Sequence, residues 1–179
     1  MGYPCIWNKL IRKEVYDKNN IKFPLKISMG EDLGTTIFLM YFSKKIIKLN
    51  KAYVHYIQNS NSITKKPKYS SLTDIYFILN KIENFFRNKN SNNFLKKLKY
   101  NHLSNWIYDV KPNFKDKLYD KILNEYLFLL EEKRNNKNNE KYIKAYFILR
   151  KVFNPKISFK IIRSLLNIKK YKNIIGEIK

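Results

Sequence analysis

Two adjacent carboxylates, Glu31 and Asp32, stand directly behind Gly30 and ahead of an apolar run that begins at Leu33. In the first turn of a helix, unpaired backbone N–H groups and the positive end of the helix dipole stabilise a carboxylate. An ionised carboxylate at the edge of a cleft can take a proton from a hydroxyl and so act as a general base. Acidic residues also favour this position in ordinary helices. The pair by itself fits either a helix start or a catalytic base.

Two glycines flank the acidic pair and bear on what can reach it. We expect Gly30 to let the backbone approach a substrate closely, and Gly34 to leave one side of the first helical turn open. Trp7, further toward the N-terminus, fits a packing anchor, and it also fits a platform on which a sugar ring stacks. These residues extend the candidate site beyond the carboxylates.

Other residues with reactive side chains give weaker signals. His55 fits a packed residue of a strand, and its imidazole could instead complete a divalent-metal site with ligands from elsewhere. We interpret His102, among apolar neighbours, as structural. Cys5 is the only cysteine, which excludes an internal disulfide and a cysteine-based zinc site. No P-loop, Gly-rich dinucleotide motif or His-Glu helix pair is present in the sequence.

The composition is that of a folded, helix-rich and strongly basic chain. Of its 179 residues, 44% are hydrophobic and only four are glycine and five proline. The net charge of +23 comes from 37 Lys+Arg against 14 Asp+Glu and favours anionic neighbours. Only five of the basic residues are arginine, the better residue for bidentate phosphate contacts. We therefore do not expect nucleic acid as a dedicated partner.

Hydrophobic periodicity predicts helices over most of the chain and strands only near its middle. Two short strands, 46–49 and 53–57, are predicted around a turn at Asn50 and Lys51. The helices are predicted at about 7–18, 31–42, 72–86, 94–107, 118–130, 142–153 and 157–168. The predicted fold class is α+β and mostly helical, with a boundary at a basic linker: an α/β piece over 1–64 and a helical extension over 65–179. The α/β piece is too short for a complete doubly wound domain.

The order and spacing of several short motifs in the first 64 residues resemble the second half of family-2 glycosyltransferases. These motifs are Pro4-x-x-Trp7-Asn8-Lys9-Leu10, Ile21-Lys22-Phe23-Pro24, Gly30-Glu31-Asp32-Leu33, Lys45-Ile46-Ile47, His55-Tyr56 and Asn61-Ser62-Ile63-Thr64. The helices that follow resemble the variable C-terminal extensions of members that build bacterial surface polysaccharides or glycoconjugates.

The resemblance implies the end of a GT-A fold, a nucleotide-sugar donor, a glycan acceptor and transfer with inversion. It assigns the catalytic base to Asp32, a supporting role to Glu31, and the acceptor side of the cleft to Trp7, Asn8 and Lys9. It also implies a divalent metal, Mg or Mn, with His55 near the place of a late ligand. The chain contains no Asp-x-Asp, the motif that supplies the main metal ligands. We therefore expect a fragment without the nucleotide-binding half, and no activity from this chain alone.

A different class of function is a basic helical module that binds an anionic membrane or nucleic acid without catalysis. It rests on the charge and on the last predicted helix, where basic and apolar side chains alternate in an amphipathic pattern. The same helix also fits one that covers a core. The sequence has no apolar stretch of membrane-spanning length and no signal-peptide pattern, so we expect a cytoplasmic protein, either free or peripheral at the inner membrane.

Overall fold

The computed structural model describes most of the chain, and for residues 133 and 166–176 the backbone alone. The described residues are 5–57, 62, 68–89, 91–108, 110–111, 113, 115–133, 145–146, 148–149 and 151–176. They contain six helices: α1 Lys13–Lys18, α2 Glu31–Phe42, α3 Tyr69–Phe86, α4 Asn92–Ile107, α5 Lys117–Lys133 and α6 Pro155–Gly176. The described part of the chain is all-helical, which confirms the mostly helical prediction. Of the helix predicted at 142–153, residues 145–146 and 148–149 are helical, whereas residues 142–144, 147 and 150 lie outside the described residues.

The two predicted strands are absent from the described residues, and this part of the fold prediction was wrong. Residues 44–57 are exposed along their whole length, form no helix and no strand ladder, and bend at Lys44, Asn50 and Lys51. An isolated two-stranded hairpin is marginal in water and needs a third strand or a covering helix. No described element covers these residues, since Ile47 is 68% and Ile57 is 87% exposed. The strand-like composition of residues 46–49 and 53–57 was therefore not sufficient for them to form a β-ladder.

Helix α1 is shorter than predicted and begins at Lys13. Arg12 has extended backbone angles, φ −66° and ψ 128°, and marks the start. The apolar spacing that suggested a start at Trp7 included Leu10, which is 98% exposed. Short helices in water depend on packing of an apolar face. Because Leu10 packs on nothing, residues 7–12 gain no such support.

The described contacts divide the chain into two compact units, Met1–Ile122 and Leu123–Lys179, with the division inside α5. In the first unit α2 packs against α1 and α3, and α3 packs against α4. Elements on both sides of the predicted boundary at 64/65 thus pack together. That boundary follows the sequence resemblance and stays a prediction. The core of this unit lies mainly along α3 and includes Leu72, Ile75, Ile78, Leu79 and Ile82.

A cluster of aromatic rings joins the C-terminal end of α2 to that of α3. Phe38 meets Phe85 edge to face at a centroid distance of 5.0 Å, and Tyr41 meets Phe86 at 5.2 Å. The Lys89 ammonium lies 4.4 Å from the Tyr41 ring centre and 4.2 Å from that of Phe85. Edge-to-face rings and a cation over their faces attract each other through the ring quadrupole. The cluster fixes the place where the chain leaves α2.

The second unit is built from the end of α5, Tyr146 and the first turns of α6. Tyr126 of α5 meets Phe159 of α6 at a centroid distance of 6.2 Å. Asn154 caps α6, since its side-chain oxygen accepts from the Ile157 N–H at 3.0 Å. Phe159 and Ile162 are both buried and lie three residues apart, on the same side of the helix. The first part of α6 therefore presents an apolar face to a core.

Candidate functional site

Both predicted catalytic carboxylates lie in the first turn of α2. The helix begins at Glu31, as the sequence predicts, and its N-cap residue is Gly30. Glu31 and Asp32 are half-buried, whereas the next residues, from Leu33 to Ile37, are buried. Within the described part of the chain, neither carboxylate takes part in a hydrogen bond or an ion pair. Asp32 is therefore neither sealed in the core nor neutralised by a described cation, and its catalytic role stays a prediction.

Gly30 is required by backbone conformation and by packing. Its φ of +87° lies in the left-handed region that side chains rarely adopt. A Cβ at this position would lie 3.2 Å from Cγ1 of Ile75. The expectation that Gly30 serves close approach of a substrate was wrong, because the neighbour that it admits is α3.

Gly34 has the same packing role one helical turn later. A Cβ on Gly34 would lie 2.9 Å from Cδ1 of Ile78 and 3.4 Å from Cγ of Pro24. The side of the first turn that we expected to be open to a substrate is therefore closed by α3. Asp32, two residues before Gly34, is half-buried.

A hydrogen-bonded contact from α3 fixes the loop that leads into α2. The Ser28 backbone N–H and hydroxyl both donate to the same oxygen of Asp74, at 2.8 and 2.7 Å. Together with the Ile75 contact to Gly30, this contact sets the start of α2 and hence the position of Asp32. Sequence reasoning missed Asp74, because a residue 46 positions away gives no local signal of this contact.

The predicted acceptor residues lie in the segment before α1. The Lys9 ammonium donates to the Asn8 side-chain oxygen at 2.7 Å and also to the backbone oxygen of Cys5. Trp7 is 49% exposed and stacks on Tyr56, with ring centres 5.3 Å apart and an interplanar angle of 13°. Trp7 is therefore not the core residue that a packing anchor would be. Its half-exposed ring is accessible to a flat ligand.

His55 precedes Tyr56 in residues 44–57, which form no regular structure, and it is exposed. Across the described ranges, no three His, Cys, Asp or Glu side chains lie close enough together to hold a metal ion. The residues present do not fit a metal centre, and we derive no catalytic step through one. The motif residues 61–64 lie outside the described ranges, except for Ser62.

Three other ionisable groups have perturbed pKa values but lie away from the acidic pair in sequence. Burial lowers the pKa of His102 on α4, in line with its structural interpretation. Burial and the neighbouring Asp116 carboxylate raise the pKa of Tyr69 to about 12. The pKa of Asp116 is lowered, because its carboxylate accepts the Tyr119 and Leu118 backbone N–H groups at the start of α5. This is the arrangement of a helix cap, not of a catalytic acid or base.

The basic residues of α6 divide between the surface and the core. Lys160 is exposed and Ile157 and Leu165 are partly exposed, but Arg163 and Ile162 are buried. The described part of α6 thus buries a basic side chain that an interfacial helix would present to lipid. No described helix is long and apolar enough to cross a bilayer. Membrane binding by this helix stays a prediction.

The described geometry stacks Trp7 on Tyr56, the residue after His55, and it places Glu31 and Asp32, both half-buried, in the first turn of α2. Compared with protein-family models, with curated proteins and with solved structures, the chain has no match.

Proposed function

We propose that this chain supplies the acceptor side of an inverting glycosyltransferase, with Asp32 as the general base. The observation that carries the proposal is the position of Asp32: partly exposed, in the first turn of α2, and without an ion-pair partner among the described residues. A base must keep its lone pairs accessible to the hydroxyl that it deprotonates. The likeness of the motif set to family-2 glycosyltransferases gives the reaction class.

The proposed reaction is a single displacement. The Asp32 carboxylate accepts the proton of an acceptor hydroxyl as that oxygen bonds to the anomeric carbon of the donor sugar, and the bond to the diphosphate breaks with inversion. Free backbone N–H groups and the positive end of the helix dipole in the first turn of α2 favour a negative charge at this place. Because the sequence contains no Asp-x-Asp, the proposal assigns binding of the nucleotide sugar to a separate nucleotide-binding half.

The acceptor saccharide is proposed to stack on Trp7 and to be oriented by Glu31, Asn8 and Lys9. An aromatic ring that is half exposed and already held by Tyr56 loses little conformational freedom when a sugar ring covers it. Asn8 and Lys9 carry the polar groups that saccharide hydroxyls require. Glu31 is next to the base in sequence, and its carboxylate can accept a hydrogen bond from a second hydroxyl of the acceptor.

Acceptor binding is testable on the isolated chain. In a Trp106→Phe background the fluorescence comes from Trp7, and titration with a panel of oligosaccharides is expected to give a saturable change. The Trp7→Phe variant, measured by calorimetry with the same saccharide, should bind it more weakly. If no oligosaccharide binds, the acceptor assignment is rejected.

Catalysis is tested by joining the chain to a nucleotide-binding half of GT-A type. The Asp32→Asn variant is expected to lower transfer by roughly 100- to 10,000-fold, the usual contribution of a general base, with nucleotide-sugar binding unchanged. The matched control is Asp17→Asn, because Asp17 is an exposed carboxylate paired with Lys13 at 2.8 Å. Full activity of the Asp32→Asn variant would reject the base assignment.

A further inference from the structure

Residues 44–57 form an exposed apolar segment that follows α2 directly. Every residue of this segment is exposed to solvent. Its large hydrophobic residues at the surface are Ile46, Ile47, Leu49, Tyr53, Val54, Tyr56 and Ile57. Large apolar side chains that are exposed together in one segment mark a site of interaction. The folded chain as described does not use these side chains for its own core.

The backbone of the segment belongs to no helix or strand ladder and bends at Asn50 and Lys51. No backbone hydrogen bond links residues 44–57 to another described part of the chain. Unpaired N–H and C=O groups in an extended chain form a template on which another strand can pair. The many β-branched and aromatic side chains of the segment are those that strands favour. The segment therefore has the chemistry of a strand that lacks its neighbour.

The charge of the segment restricts the partner. It carries Lys44, Lys45, Lys48 and Lys51, and no Asp or Glu occurs between Asp32 and Asp74. A second copy of a chain with a net charge of +23 would be repelled. An anionic bilayer would match the charge, but its apolar layer would leave the backbone N–H and C=O groups unsatisfied. An acidic strand satisfies both the lysines and the backbone.

Both ends of the segment are held, which lowers the entropic cost of binding. At its beginning, the Ser43 N–H donates to the Leu39 oxygen at 3.0 Å and ends α2. Near its other end, Tyr56 stacks on Trp7.

We propose that residues 44–57 bind an acidic, extended segment of a partner protein by β-strand addition. The inference rests on the exposed segment and does not depend on the proposed function, because neither Asp32 nor a saccharide takes part in it.

The probe is a synthetic acetylated peptide amide, Glu-Val-Glu-Tyr-Glu-Val-Glu-Thr, added to the full chain. Calorimetry should detect binding, and the infrared amide I band should gain a β-strand component. Two control peptides separate charge from backbone pairing: one with Lys in place of every Glu, and one N-methylated at alternate residues. Each control is expected to bind at least about tenfold more weakly, since it loses charge-assisted contacts or backbone hydrogen bonds.

Variants of the chain test the same surface. Val54→Pro removes a backbone donor that no described group uses, so the helical circular dichroism should be unchanged while peptide binding falls. Val54→Thr keeps the donor and is expected to bind as the parent chain does. Lys48→Glu should weaken binding of the acidic peptide and improve binding of the lysine peptide.

Four results would overturn the proposal. They are no binding of the acidic peptide, binding without a β-strand signal, equal binding of the N-methylated peptide, and unchanged binding by Val54→Pro. Concentration-dependent self-association with a β-strand signal, in place of peptide binding, would identify a second copy as the occupant. Binding to anionic phosphatidylglycerol vesicles in place of the peptide would identify a membrane surface. Self-association and vesicle binding would each also reject the proposed partner.

Discussion

Ser28 and Asp74 are joined by two hydrogen bonds, because the backbone N–H and the hydroxyl of Ser28 both donate to one carboxylate oxygen of Asp74. The contact ties the loop before α2 to the first half of α3. Because α2 begins three residues after Ser28, the direction of its first turn, and with it the place of Asp32, depends on this contact. A side chain on α3 thus positions the candidate base on α2.

We predict that Asp74→Ala destabilises the chain by about 1 kcal/mol, the low end for hydrogen bonds to a charged group, because both donors are near the surface. Ser28→Ala should cost less, since the backbone N–H still donates. Urea denaturation of the two single variants and the double variant gives the coupling energy. Fully additive effects would show that the two residues do not act as a pair. Thr73→Ala, next to Asp74 at a half-buried position of α3, provides a control for the helix itself.

The close contact of α2 with α3 requires glycine at two positions. Gly30→Ala is expected to cost about 1–2 kcal/mol, because alanine must adopt the left-handed backbone of the N-cap. Gly34→Ala should cost less, since the obstructing atom is the mobile Cδ1 end of Ile78. Gly34→Val should cost more than Gly34→Ala. Thermal unfolding checks the order of these three variants, and equal melting temperatures for Gly34→Ala and Gly34→Val would contradict close packing there.

Lys99 and Glu83 form an ion pair between α4 and α3 whose two halves differ in exposure. The ammonium lies 2.8 Å from the Glu83 carboxylate and 3.1 Å from the Asn80 side-chain oxygen. The Lys99 side chain is 5% exposed and that of Glu83 is 36% exposed. Removing Glu83 leaves a cation with little access to water, whereas removing Lys99 leaves a carboxylate that water can reach.

The two single variants at this pair are therefore expected to differ. Glu83→Gln should destabilise the chain by about 2 kcal/mol, below the ~3–5 kcal/mol of a fully buried broken pair, because Glu83 is partly solvated. Lys99→Met keeps the packing volume and should cost less than Glu83→Gln. Chemical denaturation gives the free energy of unfolding of both variants. A larger loss of this free energy for Lys99→Met than for Glu83→Gln would contradict the argument from exposure.

From the raised pKa of Tyr69 we predict that the folded chain loses stability at alkaline pH. Its pKa is raised from 10.0 to about 12 in the folded chain, first by burial and then by Asp116. A raised folded pKa contributes stability that is complete below pH 10 and disappears as the pH rises through about 12. The parent chain should therefore lose more stability between these pH values than Tyr69→Phe does.

Urea denaturation of both proteins across this range gives the difference. The tyrosinate absorbance, compared between them, gives the titration of Tyr69 itself. Parallel stability curves for the two proteins would reject the assignment. Tyr16→Phe is a suitable control, because Tyr16 lies on α1, away from Asp116.

The helices were largely readable from the sequence because their signals are local. Glu31–Phe42 was predicted with the bounds that the structure has, since a glycine, an acidic first turn and an apolar run act within a few residues of one another. Helix α3 was similarly predicted from apolar residues at helical spacing. The start of α1 was not predicted correctly, because Leu10 fits the apolar spacing of a helix but packs on no other residue.

The contacts around the candidate site could not be predicted, since they join residues that are distant in sequence. Local composition identified the carboxylates and their place at a helix start. Only the packing of α2 on α3 decided that Gly30 and Gly34 face another helix, and only Asp74 fixes the loop before them.

Residues 44–57 show most directly where sequence information ends. Their side chains favour a strand, and this preference is a property of each residue. A strand also needs a neighbour whose backbone pairs with it, and that neighbour is not among the described residues. The sequence by itself thus determined the helices, the positive charge and the positions of the reactive side chains. The tertiary structure decided which of these residues are packed, which are exposed and which are unpaired, because those properties depend on the neighbours that folding provides.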